Sequence, residues 1–219
     1  MRWLQLTILV LTCVGPARGQ DIVDVLRHSQ QTRLDAMKPA AAGPKADAVR
    51  KTFQALQQRV APQAVVDLHV ISGGTIAETL HGHIIVANES LADLPEGERA
   101  FVLAHELGHV VNDHWLKMGL LYRRFVPGAV IQANTDPVAG PLSREASGLA
   151  HQQELEADTF ALQALRSMGY PPDDAFSAFL HLGMQHDTAT HPGTRKRLAS
   201  LRAAQLSLPA AAPAAKPQP

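Results

Sequence analysis

The stretch PEGERAFVLAHELGHVVNDHW, residues 95–115, reads as one helix. Its apolar residues Phe101, Val102, Leu103, Leu107, Val110 and Val111 cover most of its circumference. A helix apolar on nearly every side belongs in a core. Asp93 and Glu96 stand at capping-box spacing at its start. Inside this apolar setting His105, Glu106 and His109 place three ionisable groups within five residues. Helical residues four apart lie on one face about one turn apart, so both imidazoles can reach one ion. Glu106, between them, can take a proton from water activated by that ion. Burying these groups without a metal or partners is costly. The alternative is a pair of core histidines satisfied by hydrogen bonds.

A catalytic zinc takes three protein ligands and keeps one position for water. The acid-rich string Glu154-Leu155-Glu156-Ala157-Asp158, 45 residues after His109, can supply the third ligand. Glu154 and Asp158 share a helix face, so one can bind metal while the other holds a ligand imidazole from behind. Glu156 points elsewhere by helical geometry and reads as surface. A solvated acidic helix face is the alternative for the whole string.

Outward from these motifs, the chain reads as α+β and mostly helical, with a small β-sheet and the His-Glu-x-x-His helix as its active-site helix. Ile22, Val25, Leu26, Leu34 and Met37 have helical spacing up to Pro39. After the break Pro39 to Pro44, Val49, Phe53, Leu56 and Val60 mark a second helix, closed by Pro62. Val65 to Ile71, Thr75 to Leu80 and His83 to Ala87 read as strands, with Ser72-Gly73-Gly74 as the turn of a hairpin between the first two. Residues 116–140 are mixed. A long helix from Leu142 to Met168 is stopped by Gly169 and Pro171-Pro172, and shorter helices near 172–184 and 193–205 follow. The divisions expected are 1–19 as a signal peptide, 20–62 as an N-terminal helical segment, 63–206 as the catalytic domain, and 207–219 as a disordered Ala/Pro-rich tail.

The signal peptide follows from Met1-Arg2, the apolar run Trp3 to Val14, and small residues at Ala17 and Gly19 before the expected cut. That run is too short to span a bilayer, which takes about 20 residues. No later run reaches that length, so no transmembrane segment is expected after signal removal. Cys13, the single cysteine, follows Thr12 rather than Gly, Ala or Ser, so a lipid anchor is not expected, and the mature chain has no disulfide. The full chain balances 20 Lys and Arg against 20 Asp and Glu, and aromatics are 5%. Without a basic excess or an aromatic surface, nucleic acid is not an expected partner.

His105-Glu106-x-x-His109, Glu154-x-x-Ala157-Asp158, and His191-Pro192 with Arg197-Leu198 together resemble the HtpX/BepA/Oma type of gluzincin metallopeptidase, related to the CAAX prenyl proteases. The likeness extends to HIIVANESLADLPEGERAFVLAHELGHVVNDH (83–114), MGYPPDDAFSAFLHL (168–182) and THPGTRKRLASL (190–201), and covers about residues 65 to 205. It implies a zincin-like metalloprotease domain, with His105, His109 and Glu154 as ligands of one Zn2+ per chain, Glu106 as general base, and Asp158 as the residue behind a ligand. His191 matches a histidine near the metal, either an occasional fourth ligand or a donor to the transition state. Arg197 matches a positioning arginine. His83 to Ala87 aligns with a strand at the cleft rim that pairs with extended substrate. Where the family has an Asn-Ala pair and Pro-Gly-Gly, this chain has Ile76-Ala77 and Leu80-His81-Gly82. Nothing in this sequence resembles the membrane helices of HtpX or the tetratricopeptide repeats of BepA, so a minimal soluble version is expected.

Other histidines read more plainly. His81 and His83 alternate onto one strand face and read as solvent-facing. His114 lies on a different helix face from His109 and reads as a structural hydrogen-bonding residue. Arg195-Lys196-Arg197 reads as the polar side of a helix. The expectation is an exported, periplasmic zinc endopeptidase acting on unfolded or misassembled envelope proteins. The alternative is a latent, chaperone-like metal-binding protein whose open position His191 plugs.

Overall fold

A computed structural model describes residues 20–207. Residues 1–19, expected as a signal peptide, and residues 208–219 of the expected Ala/Pro-rich tail lie outside the described residues. The elements run α1 (Ile22–Asp35), β1 (Lys38–Pro39), α2 (Pro44–Val60), β2 (Asp67–Ser72), β3 (Ala77–Leu80), β4 (Ile84–Asn88), α3 (Glu96–Val111), α4 (His114–Phe125), α5 (Gln132–Thr135), α6 (Ala139–Met168), α7 (Asp173–Leu182) and α8 (Thr194–Ser207). This is the mostly helical α+β architecture expected from the pattern.

Local chemistry sets most helix ends. The Asp21 side chain accepts from Val23 N and starts α1. Pro44 opens α2, where a missing N–H costs nothing. Gly169, at φ 84°, closes α6 in the left-handed region. The capping box expected before α3 does not form. Its N-cap is Pro95, and Asp93 instead pairs with Lys45 across to α2 at 2.7 Å.

The four-stranded sheet has the order β1-β2-β4-β3. β2 and β4 are parallel, with Asp67 opposite Ile84, and β3 and β4 are antiparallel, with Leu80 opposite Ile84. The expected hairpin at Ser72-Gly73-Gly74 is therefore absent. The Asn88 amide donates to the carbonyls of Gly73 and Thr75 at 2.9 and 2.8 Å and pins that crossing over the end of β4. The hairpin lies between β3 and β4, where His81 and Gly82 both have positive φ, 54° and 76°. His81 and His83 sit in this turn, not side by side on a strand face. β4, taken as the substrate-pairing rim, is interior and paired on both sides. β3 is the edge strand on that side of the sheet.

The helix expected over residues 95–115 is two helices. α3 ends at Val111, Asp113 adopts a left-handed conformation at φ 53°, and α4 departs in a new direction. Asp and Asn tolerate that conformation better than most residues.

The core lies between α3 and the elements around it. Val49, Phe53 and Leu56 of α2, Ile85 of β4, Leu103 and Leu107 of α3, Leu162 and Leu165 of α6 and Leu201 of α8 belong to one buried cluster. Every residue from Gly97 to Gly108 is buried. A smaller cluster of Ile71, Leu80 and Val86 packs with Leu34 and Met37 at the end of α1. Among the described residues no helix is long and apolar enough to cross a membrane.

Candidate metal centre

Two helices build the centre. α3 presents His105, Glu106 and His109, and α6 crosses it with Glu154 and Asp158. Gly108 lets the backbones approach closely, since a Cβ there would stand 3.1 Å from Ala157 Cα. Ala157 sits between Glu154 and Asp158, so the close approach lies at the level of the functional side chains.

His105 Nε2 is 3.5 Å from Glu154 Oε2, and His109 Nε2 is 3.4 Å from Glu154 Oε1. The two Nε2 atoms are 3.2 Å apart. Among the described residues, His105, His109 and Glu154 form the group able to hold a metal ion, their ligand atoms lying within 4.8 Å of one another. His105 Nδ1 is 3.0 Å from Asp158 Oδ1 and donates to it, so the neutral ring that binds a metal would offer its Nε2 lone pair inward. Glu154 Oε2 is buried without a hydrogen-bond partner. A buried carboxylate held between two inward-facing imidazoles, with the Arg197 guanidinium 3.3 Å from Oε2 but no hydrogen bond to that oxygen, fits a bound cation.

Electrostatics point the same way. Burial and the Arg197 guanidinium push the His105 imidazolium down, but Asp158 and Glu154 outweigh them and take it up to about 10. Burial works to raise Glu154, but His105, His109 and Arg197 hold its carboxyl far below the usual carboxylate range. The two carboxylates favour positive charge at this point.

Arg197, from α8, is not on the polar side of its helix. Its Nε and one terminal nitrogen meet Asp158 at 2.8 and 2.6 Å, and its other terminal nitrogen lies 3.3 Å from Glu154 Oε2. Its guanidinium also stacks 4.8 Å from the Phe179 ring centroid. Neighbouring Arg195 and Lys196 are exposed as expected.

Glu106 is buried beside the two imidazoles. Thr79 of β3, which sequence reasoning missed, places its hydroxyl 2.7 Å from Glu106 Oε2 and 3.0 Å from the Glu106 carbonyl. A lone threonine in a short strand carries no sequence signal for this contact. Glu156 also departs from expectation. It is half-buried, and its Oε2 lies 3.1 Å from Nε2 of the buried His114, whose Nδ1 is 2.8 Å from His109 Nδ1. Burial, helped by His109, pushes the His114 imidazolium down to about 4.

His191 stands at the margin. Its side chain is 55% exposed, Nε2 is 3.7 Å from Glu154 Oε1, and Nδ1 is 2.8 Å from the Thr190 hydroxyl. The centre opens into a cleft of about 950 Å³ lined by Ala77 and Thr79 of β3, Trp115 and Met118 of α4, and His191.

Residues 73–205 match the sequence model of peptidase family M48. The chain belongs to peptidase family M48. No curated protein and no solved structure matches it. M48 peptidases are metal-dependent, and the matched segment contains all of the metal-binding group described above. The sheet edge, the α3–α6 crossing and the His191 loop surround one cleft.

Proposed function

We propose that this protein is a zinc endopeptidase that cleaves unfolded or misassembled polypeptides after export. The observation that carries the reading is the convergence of His105 Nε2, His109 Nε2 and the Glu154 carboxylate beside Glu106, at the floor of an open cleft. Two imidazoles and one carboxylate match the donor set of catalytic zinc. When bound, zinc acidifies a water and polarises the scissile carbonyl.

The chain's own groups do the rest. Glu106 accepts the proton of the attacking water and delivers it to the leaving amine. Thr79 holds the Glu106 carboxylate in one orientation for both transfers. Asp158 keeps His105 protonated at Nδ1, and Arg197 keeps Glu154 ionised. Asn88 N donates to the Ile76 carbonyl at 2.7 Å, which makes Ile76, Glu78 and Leu80 the residues bonded to β4. The N–H and C=O groups of Ala77 and Thr79 therefore face the open edge, available to an extended substrate strand. Gln30 Oε1 takes the His81 N–H at 2.7 Å and ends that edge. Recognition through main-chain groups suits unfolded chains of varied sequence.

A second reading has its own support. His191 Nε2 lies close enough to Glu154 for a small loop movement to bring it onto the open metal position, giving a latent, chaperone-like protein. Metal analysis with digestion of unfolded casein, with and without chelator, tests the proposal. About one zinc per chain and chelator-sensitive cleavage are expected. A zinc-loaded protein that never cleaves unfolded chains overturns the peptidase reading.

A further inference from the structure

The two histidines of the centre are supported in different ways. His105 is backed directly by a carboxylate. His109 is backed by another imidazole, His114, which is only 3% exposed. The two rings meet edge to face, 4.8 Å between centroids at 78°. In a continuous helix, a residue five positions after His109 lies about 140° round the axis, at 100° per residue. The left-handed turn at Asp113 removes that separation and swings the first residue of α4 back onto His109.

The carboxylate behind His114 is itself anchored. Glu156 Oε1 accepts from Gln152 Nε2 at 2.7 Å, and Oε2 lies 3.7 Å from Lys117 Nζ. Gln153 Nε2 donates to the His114 carbonyl at 3.1 Å and fixes the start of α4 against α6. Proton positions follow from the partners. A carboxylate only accepts, so His114 Nε2 carries a proton. The His114 Nδ1 lone pair then accepts from His109 Nδ1–H, and His109 is left with its Nε2 lone pair turned into the centre.

We propose that His114, oriented by Glu156, is a positioning residue that fixes the tautomer and ring plane of His109 and thereby sets the metal affinity of the centre. Glu156–His114 does for His109 what Asp158 does for His105, with one more ring in the chain. Partners of this kind hold a ligand ring in place, and their loss commonly weakens metal binding 10–100-fold. The inference rests on the metal-centre reading above.

Zinc affinity, read by competition with a chelator, and 15N NMR of the histidine rings test it. In the zinc-loaded protein, His109 should bind through Nε2 and keep its Nδ1 proton. His114→Leu, which removes the acceptor, should weaken zinc about 10–100-fold, the scale seen when such partners are lost. His114→Asn returns an oxygen acceptor near the Nδ1 position and should recover most of that loss. Glu156→Ala leaves the buried ring in place and should lose affinity in the same direction. It carries the test, with the NMR spectrum, if His114→Leu does not fold. Coordination of His109 through Nδ1 would overturn the proposal. So would unchanged affinity in Glu156→Ala together with unchanged affinity in any folded His114→Leu, or equal losses in the Leu and Asn variants. An unmodified protein that takes no zinc overturns the metal-centre reading, and this inference with it.

Discussion

Gly108 of α3 lies directly against the backbone of Ala157 of α6, so that the helix carrying two imidazoles and the helix carrying two carboxylates touch without a side chain between them. An added methyl at Gly108 would meet Ala157 Cα at 3.1 Å and the Phe160 ring at 3.2 Å. Gly108→Ala should force the helices apart. Overpacking of this kind costs about 1–3 kcal/mol. A lower Tm together with weaker metal binding is the expected pair of results. A normal metal content at unchanged Tm would show that the crossing has slack.

The ligand assignment makes a second prediction. His105→Ala or Glu154→Ala should release most of the metal, measured as metal per chain after dialysis. Full retention in Glu154→Ala would pass the third position to His191, whose Nε2 lies 3.7 Å from the Glu154 carboxylate.

Glu106→Gln keeps shape and leaves the ligands alone, but it cannot accept a proton. Metal should stay while hydrolysis of an unfolded substrate falls by at least ~100-fold, the scale of a general base. Thr79→Val should give a smaller loss in turnover with the metal retained, because the base survives but loses its orienting hydroxyl. Equal digestion by the unmodified and Glu106→Gln proteins would assign the activity to another group.

Arg197 balances Glu154 and Asp158 in a largely buried site. Arg197→Met leaves those carboxylates without their cation. Breaking a buried ion pair by removing one partner costs about 3–5 kcal/mol. The metal-free variant should therefore melt well below the unmodified protein, with part of the difference restored by added zinc. A variant equally stable without metal would show that solvent or another residue takes over the charge.

His191 divides two mechanisms by sign. If its imidazole moves onto the open metal position at rest, His191→Ala should raise proteolysis without loss of metal. If it donates to the developing oxyanion, the same change should lower turnover by about 2–4 kcal/mol of barrier. We expect the rise, because the side chain stands exposed on a loop that leaves α7 through the positive-φ residue Gly183. An unchanged rate would remove His191 from the site.

Much of this protein is carried by short-range pattern. The spacing of His105, Glu106 and His109 places three groups on adjacent faces of one helical turn, whatever surrounds it. Glu154 and Asp158 share a face for the same reason. Apolar periodicity marks the helices, and Gly169 and the prolines near it mark where one stops. These features depend on residues within about a turn of each other, so sequence alone determines them. At the level of a metallopeptidase family, the resemblance drawn from those motifs agrees with the M48 match over residues 73–205.

Tertiary structure decided what depends on distant partners. Ser72-Gly73-Gly74 has turn chemistry, but whether β2 pairs with β3 or with β4 is a competition between surfaces, and the Asn88 amide helps settle it. The edge strand is consequently β3, which brings Thr79 to Glu106. The left-handed residue Asp113 breaks a helix that its apolar pattern would continue, and that break turns His114 toward His109. Arg197 reads as one charge in a basic run until α8 packs and the buried carboxylates of α6 draw it in. Glu156 reads as surface until α4 brings His114 to its side. A side chain's periodic position selects its helix face, but only the packing of another element determines what that face meets.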